Sequence, residues 1–207
     1  MRMGRKAQTE AITLVMISGI IIALVGVAYM WGKPMIDKRS VITEFTSAVR
    51  FMEDLDKKIV DMAGSCSFAG ACEDSLVLPG PGLVSLNGTS NTITYTIRVN
   101  QPLITKGEVF FNTADNSSFA RYGETPGIIS LKGETVQPGV YALIFSLRYR
   151  ELDSDEPWKG YKIQLLQSGR TDGNSKIMFS YEGPETQPGA AHNYGDLIIS
   201  KIKVQPI

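Results

Sequence analysis

RKAQTEAITLVMISGIIIALVGVAYMWGKP, residues 5–34, decides how the rest of this chain is read. No residue from Ala11 to Gly32 is charged, a run of 22. At 1.5 Å per residue it makes about 33 Å of helix, enough to cross a hydrocarbon core of about 30 Å. A secretory signal carries a shorter apolar region, about 7–15 residues, so the stretch predicts a retained membrane helix. An ordinary cleaved signal is the alternative, with Gly26-Val27-Ala28 as a small-x-small cut site. Arg2, Arg5 and Lys6 precede the span and Lys33, Lys38 and Arg39 follow it, so basic residues alone leave its orientation open. Gly19 and Ala23 are spaced as small-xxx-small, with Ser18 and Gly26 nearby, a pattern that lets helices approach closely. Pro34 removes a helical hydrogen bond and crowds the preceding turn, so a kink or an unwound stretch is expected there.

Beyond Pro34 a second helical pattern begins. Val41, Phe45, Ala48, Met52, Leu55, Ile59 and Met62 recur at alternating spacings of four and three, a one-sided apolar stripe. Glu44, Arg50, Glu53, Asp54, Asp56, Lys57, Lys58 and Asp61 fall on the other face, and Gly64 is the expected stop. No Gly/Ser linker separates the span from this helix. The stripe is suited to packing on the chain's own sheet and, at another height, on neighbouring copies.

The residues Arg5-Lys6-Ala7-Gln8-Thr9, followed by Glu10 and the uninterrupted span, resemble the class III signal peptide of archaeal type IV pilins and archaellins. The resemblance covers about the first 35 residues. It implies cleavage between Ala7 and Gln8, with Arg5 and Lys6 read by a prepilin peptidase. The apolar helix would then be kept as a filament core, the leader left in the cytoplasm, and the remainder placed outside. In that family an acidic residue neutralises the free amine of a neighbouring subunit. In many pilins of the bacterial type this Glu is fifth in the mature chain, whereas Glu10 would be third. An interfacial carboxylate beside Lys6 and Arg5 is the other reading of Glu10.

Both cysteines lie in CSFAGAC, as Cys66 and Cys72. In an oxidising compartment the small intervening residues permit a disulfide, which in so short a loop stabilises by at most about 2–3 kcal/mol. Free thiols or a metal site are the alternatives. A metal site would need about four ligands, and the one histidine, His192, is far away in sequence.

From about Leu76 the apolar period becomes that of strands. TITYTIRV (92–99), EVFFN (108–112), GIISL (127–131), VYALIFSLRYREL (140–152), GYKIQLLQ (160–167), KIMFSYEG (176–183) and DLIISKIKV (196–204) are separated by Pro-Gly, Asn-Gly and Asp-Gly turns. The expected fold class is therefore α+β: a long N-terminal membrane or filament-core helix, then an all-β antiparallel, sandwich-like domain. The expected segments are a leader at 1–7, helix at 8–64, a cysteine loop at 65–75 and a β-domain at 76–207.

The 207 residues carry no net charge, which gives no electrostatic case for nucleic acid. Asn87-Gly88-Thr89 and Asn116-Ser117-Ser118 are glycosylation sequons in expected loops. Asp153, Asp155 and Glu156 read as a solvated acidic turn rather than a Ca²⁺ loop, since the Gly and terminal Glu of an EF-hand are missing. Trp158 and Tyr161 read as strand-edge packing, with a sugar-stacking patch as the alternative. His192, among Gly, Ala and Asn, reads as exposed. No convergent acid, base, nucleophile or metal set is visible, so neither an enzyme nor a cofactor is expected. The leading expectation is a structural pilin at the cell surface, acting in adhesion. Its partners would be copies of itself, the prepilin peptidase, the assembly machinery and, before assembly, the membrane. Assembly would rest on Gln8, Glu10, Gly19, Ala23, Gly26 and Pro34. The alternative is a monomeric, membrane-anchored accessory protein that binds a surface layer, a glycan or a filament motor.

Overall fold

A computed structural model describes the backbone of residues 4–69, 72–104, 107–112, 117–121, 123–154, 158–166, 169–172 and 176–206. Side chains are described within these except at 4–12, 67–69, 169–172 and 206. The chain divides into two compact units, 1–43 and 44–207.

One helix, α1 (Gly4–Ala69), contains the apolar span and the amphipathic stripe. Two expectations change here. The backbone stays helical through Pro34, so the unwound stretch is not present. A proline inside a helix removes one N–H donor, and the neighbouring turns on either side keep theirs. The helix also passes Gly64 and ends at Ala69. Glycine inside a helix costs about 1 kcal/mol relative to alanine, too little to end a helix whose buried stripe continues to Cys66.

In the second unit the stripe is the buried face. Ala48, Met52, Leu55, Ile59 and Met62 are sealed, together with Phe51 and Cys66. Among the described residues twelve strands follow, in two six-stranded sheets. One sheet has the order β10 (Gly169–Asp172), β2 (Leu83–Asn87), β3 (Thr92–Val99), β7 (Val140–Tyr149), β6 (Gly127–Gln137), β4 (Glu108–Phe110). The other runs β1 (Glu73–Val77), β11 (Lys176–Gln187), β12 (Asp196–Pro206), β9 (Lys159–Leu166), β8 (Glu151–Asp153), β5 (Phe119–Ala120).

The first sheet meets the helix through strict alternation. Ile93, Tyr95 and Ile97 of β3 pair across the ladder with Leu147, Phe145 and Leu143 of β7, and all six are buried. Phe51 of α1 lies 5.0 Å from Tyr95, and Phe45 lies 5.9 Å from Phe145, ring centroid to ring centroid. Burial pushes the Tyr95 hydroxyl up to about 12, with Glu44 adding to the effect. Cys66 and Cys72 form a disulfide, and the Lys58 ammonium donates to Asp74 at 2.5 Å, so β1 is fastened to the end of α1 at two points.

The purely antiparallel expectation is corrected. β12 pairs in parallel with β9, and β5 in parallel with β8. VYALIFSLRYREL is not one strand either. It breaks at Arg150, where the chain leaves β7 in one sheet and enters β8 in the other. The Arg150 side chain is 4% exposed; its guanidinium donates to Thr125 O, Ser117 Oγ and Glu124 Oε2. A buried guanidinium needs such partners, and meeting them turns the chain out of the ladder.

Candidate functional site

Two surfaces stand out, one on each unit. In the first unit, α1 exposes apolar side chains around its whole circumference: Leu14, Ile17, Ile21, Ile22, Leu24, Val25, Met30 and Trp31 are each more than half exposed. Gly19 and Gly26 lie in this surface with open space where a Cβ would stand. Ala23 and Pro34 are exposed as well. Among the described residues this is the one helix long and apolar enough to cross a membrane. The side chains of Arg5, Lys6, Ala7, Gln8 and Glu10 lie outside the described ones.

In the second unit, three features join the sheets and shape their ends. Asn91 closes the turn between β2 and β3 at φ 54°, a left-handed conformation that asparagine tolerates better than most residues. Its amide is 9% exposed and acts as a substitute peptide. Nδ2 donates to Ile163 O at 2.7 Å and to Tyr149 O at 3.4 Å, while Leu165 N–H donates to Oδ1 at 2.8 Å. β8 pairs with β9 only as far as Tyr161, so Asn91 satisfies the strand edge just where β8 ends.

Asp56 is the second feature. The heptad pattern placed it on the polar face, but it is half-buried and turned toward Tyr149. A Cβ at residue 127 would lie 2.1 Å from Asp56 Oδ1, so a side chain there would displace the carboxyl from this position. Oδ1 and the Tyr149 hydroxyl are sealed from water, and neither makes a hydrogen bond of good geometry. Burial pushes the Asp56 carboxyl up to about 6, and the nearby Tyr149 hydroxyl only partly offsets it. The same burial, with Asp56 alongside, holds the Tyr149 hydroxyl well above its usual range. A carboxyl raised in the folded state favours folding when protonated. Its contribution is therefore complete below about pH 4 and is lost as pH rises through about 6. Two units correspond to about 3 kcal/mol. Asp56→Asn is expected to flatten this part of the profile and to stabilise at pH 7.5 by about 1–3 kcal/mol. Denaturant midpoints of both proteins from pH 4 to pH 7.5 measure it, and parallel profiles would refute it.

The third feature is the end of the second sheet where β9 and β12 begin. The buried face of β12 changes along its length: Leu197 and Ile199 face one way, Ile202 and Val204 the other. The change lies opposite the β-bulge between Tyr181 and Gly183 on β11, with Gly183 at φ 106°. Leu197 and Ile199 form a small core of their own with Ala191. Gly160 sits against it, where a Cβ would lie 2.9 Å from the Ala191 methyl. Glu151 Oε1 accepts from His192 N–H at 2.6 Å, and the His192 ring lies tilted against Phe119, 4.0 Å centroid to centroid. Trp158 is 68% exposed rather than packed on the strand edge, and Tyr161 is half-buried. His192 Nδ1 lies 3.8 Å from Asp153 Oδ1, and its ring is half-exposed.

No known family model, curated protein or solved structure matches this chain. What can be said of its chemistry comes from its own residues.

Asn87, the first sequon, is exposed at the end of β2, and its Oδ1 accepts from Thr89 and Ser90 N–H. Asn116, Asp155 and Glu156 lie outside the described residues. Among the described residues no group of three His, Cys, Asp or Glu side chains could hold a metal ion. A groove of about 310 Å³ in the second unit is lined mainly by Val60, Ala63, Pro126, Leu152, Tyr161 and Ile163. Sequence reasoning missed the roles of Asn91, Asp56 and Arg150. Only the Asn91 turn left a local trace, an asparagine closing a polar Gly-Thr-Ser-Asn stretch before a strand.

Proposed function

We propose that this protein is a structural subunit of a surface filament of the type IV pilus kind, cut between Ala7 and Gln8. Its apolar helices gather as the filament core, and its two sheets, bridged by Asn91, form a sandwich-like coat outside the cell. The observation that carries this reading is the apolar surface of α1, exposed on all sides and continued as helix, with no linker, into the stripe that packs on the β unit. A lone anchor needs lipid around its helix and tolerates a flexible joint to its domain. A subunit drawn out of lipid must find other protein for the same surface, because water penalises it by about 25 cal/mol per Å². Gly19, Ala23 and Gly26 supply places for close approach. Gln8 and Glu10 would pair an amine with a carboxylate at the core, and Asn87 would carry a glycan on the coat.

N-terminal sequencing of the protein sheared from the cell surface tests this. It should read QTEAITLVM and come from material that sediments as a fibre. A chain that still starts at Met1 and stays with the membrane after shearing would overturn the proposal.

A further inference from the structure

Trp158 and Tyr194 are exposed aromatic residues held in a backbone conformation that aromatic residues rarely adopt. Their φ angles are 70° and 63°, and apart from Asn91 they are the only non-glycine residues among those described with positive φ. A bulky side chain there stores of order 1–3 kcal/mol of strain, which persists only where the surroundings enforce it. Here they do. Asp196 N–H donates to Trp158 O at 2.8 Å, Tyr194 N–H to Ala191 O at 2.8 Å, and Ala191 N–H to Gly195 O at 3.0 Å. Asn193 Nδ2 donates to Lys159 O at 3.0 Å, and Gly195 N–H to Asn193 Oδ1 at 3.0 Å. A Cβ on residue 195 would lie 2.0 Å from the Trp158 carbonyl carbon, so the two loops touch backbone to backbone. The small core of Ala191, Leu197 and Ile199 lies beneath them.

This bracing serves no packing of the rings themselves. Trp158 is 68% exposed and Tyr194 85%. They stand at the starts of the neighbouring parallel strands β9 and β12, where Lys159 pairs with Asp196. Their neighbours are polar: His192 with a half-exposed ring, Asn193, Lys159 and Asp196. A permanent protein interface or a lipid surface would set such rings in a larger apolar patch. Two exposed rings on braced backbone, set among hydrogen-bonding groups, suit a ligand that is apolar on one face and hydroxylated at its edge. We propose that Trp158 and Tyr194 form a stacking platform for the pyranose rings of a polysaccharide. The C–H faces of the sugar would lie on the rings, and its hydroxyls would meet the surrounding polar groups. This holds whether the chain polymerises or stands alone.

The full chain in lipid nanodiscs is titrated with cellotetraose, chitotetraose and mannotetraose, read by saturation-transfer NMR and calorimetry. At least one should bind, with saturation reaching ring C–H protons. Trp158→Ala and Tyr194→Ala should each weaken binding by about tenfold or more, and Trp158→Phe by no more than about threefold. Trp158→Gly and Tyr194→Gly, which relieve the backbone, should abolish binding and leave the thermal midpoint unchanged or higher. The proposal is overturned if none of the three sugars binds at about 10 mM, a limit of only about −3 kcal/mol. It is equally overturned if binding survives in both glycine variants, or if those variants lose stability, which would assign the rings to packing.

Discussion

Asn91→Ala is expected to lower the stability of the β unit by about 3–5 kcal/mol. Three hydrogen bonds disappear together, and two of their partners, Ile163 O and Leu165 N–H, belong to a strand edge that no other strand among the described residues covers. Each buried backbone group left without a partner costs about 1–3 kcal/mol. Alanine also resists φ 54°, adding about 1 kcal/mol. Two companions separate the contributions. Asn91→Gly relieves the backbone but not the edge, so it should recover only the smaller part. Asn91→Asp keeps the acceptor for Leu165 N–H but presents an oxygen to Ile163 O, so it should be nearly as damaging as alanine. Denaturant titration of the full chain in detergent measures all three. A loss under about 1 kcal/mol for Asn91→Ala would mean that water replaces the amide and that the sheets do not depend on this bridge.

On the proposed filament reading, Ile22→Lys is expected to abolish assembly while leaving the β unit folded and the chain in the membrane. Ile22 lies near the middle of the uncharged run and is 72% exposed. A lysine at the centre of a membrane helix costs about 3 kcal/mol relative to isoleucine, which a span of this length survives because the amine can snorkel toward the interface. In a helical polymer every subunit would carry the same charge into a packed core, with no headgroup region within reach. Ile22→Leu is the control and should assemble. Electron microscopy of the cell surface, with membrane fractionation alongside, gives the result. Filaments formed by Ile22→Lys as readily as by Ile22→Leu would remove helix packing as the proposed basis of assembly.

Legibility followed the range of the interactions. The span and the stripe from Val41 to Met62 were readable because helical periodicity is a local property, and the buried residues match that stripe. Strand β3 coincides with TITYTIRV because its alternation is uninterrupted and both its neighbours are antiparallel. β1, β5 and β10 escaped notice because short edge strands carry little pattern, and β2, flanked by β10 and β3, because five residues are too few to set a period. Asp56 was assigned to the polar face because nothing near it in sequence announces Tyr149 or Gly127. Arg150 passed as a strand residue because its partners, Ser117, Glu124 and Thr125, lie more than twenty positions away.

By itself the sequence determined the order of the parts: a long apolar helix, an amphipathic continuation, a cysteine pair close enough to join, and a region of short strands. Each follows from side-chain period and composition over a few turns of chain. The tertiary structure alone decided which sheet each strand entered, the parallel pairing of β9 with β12, the bridge at Asn91 and the braced rings of Trp158 and Tyr194. Those outcomes depend on which distant backbone groups remain unpaired once the strands are packed. That is a property of the assembled sheets, and no short stretch of chain records it.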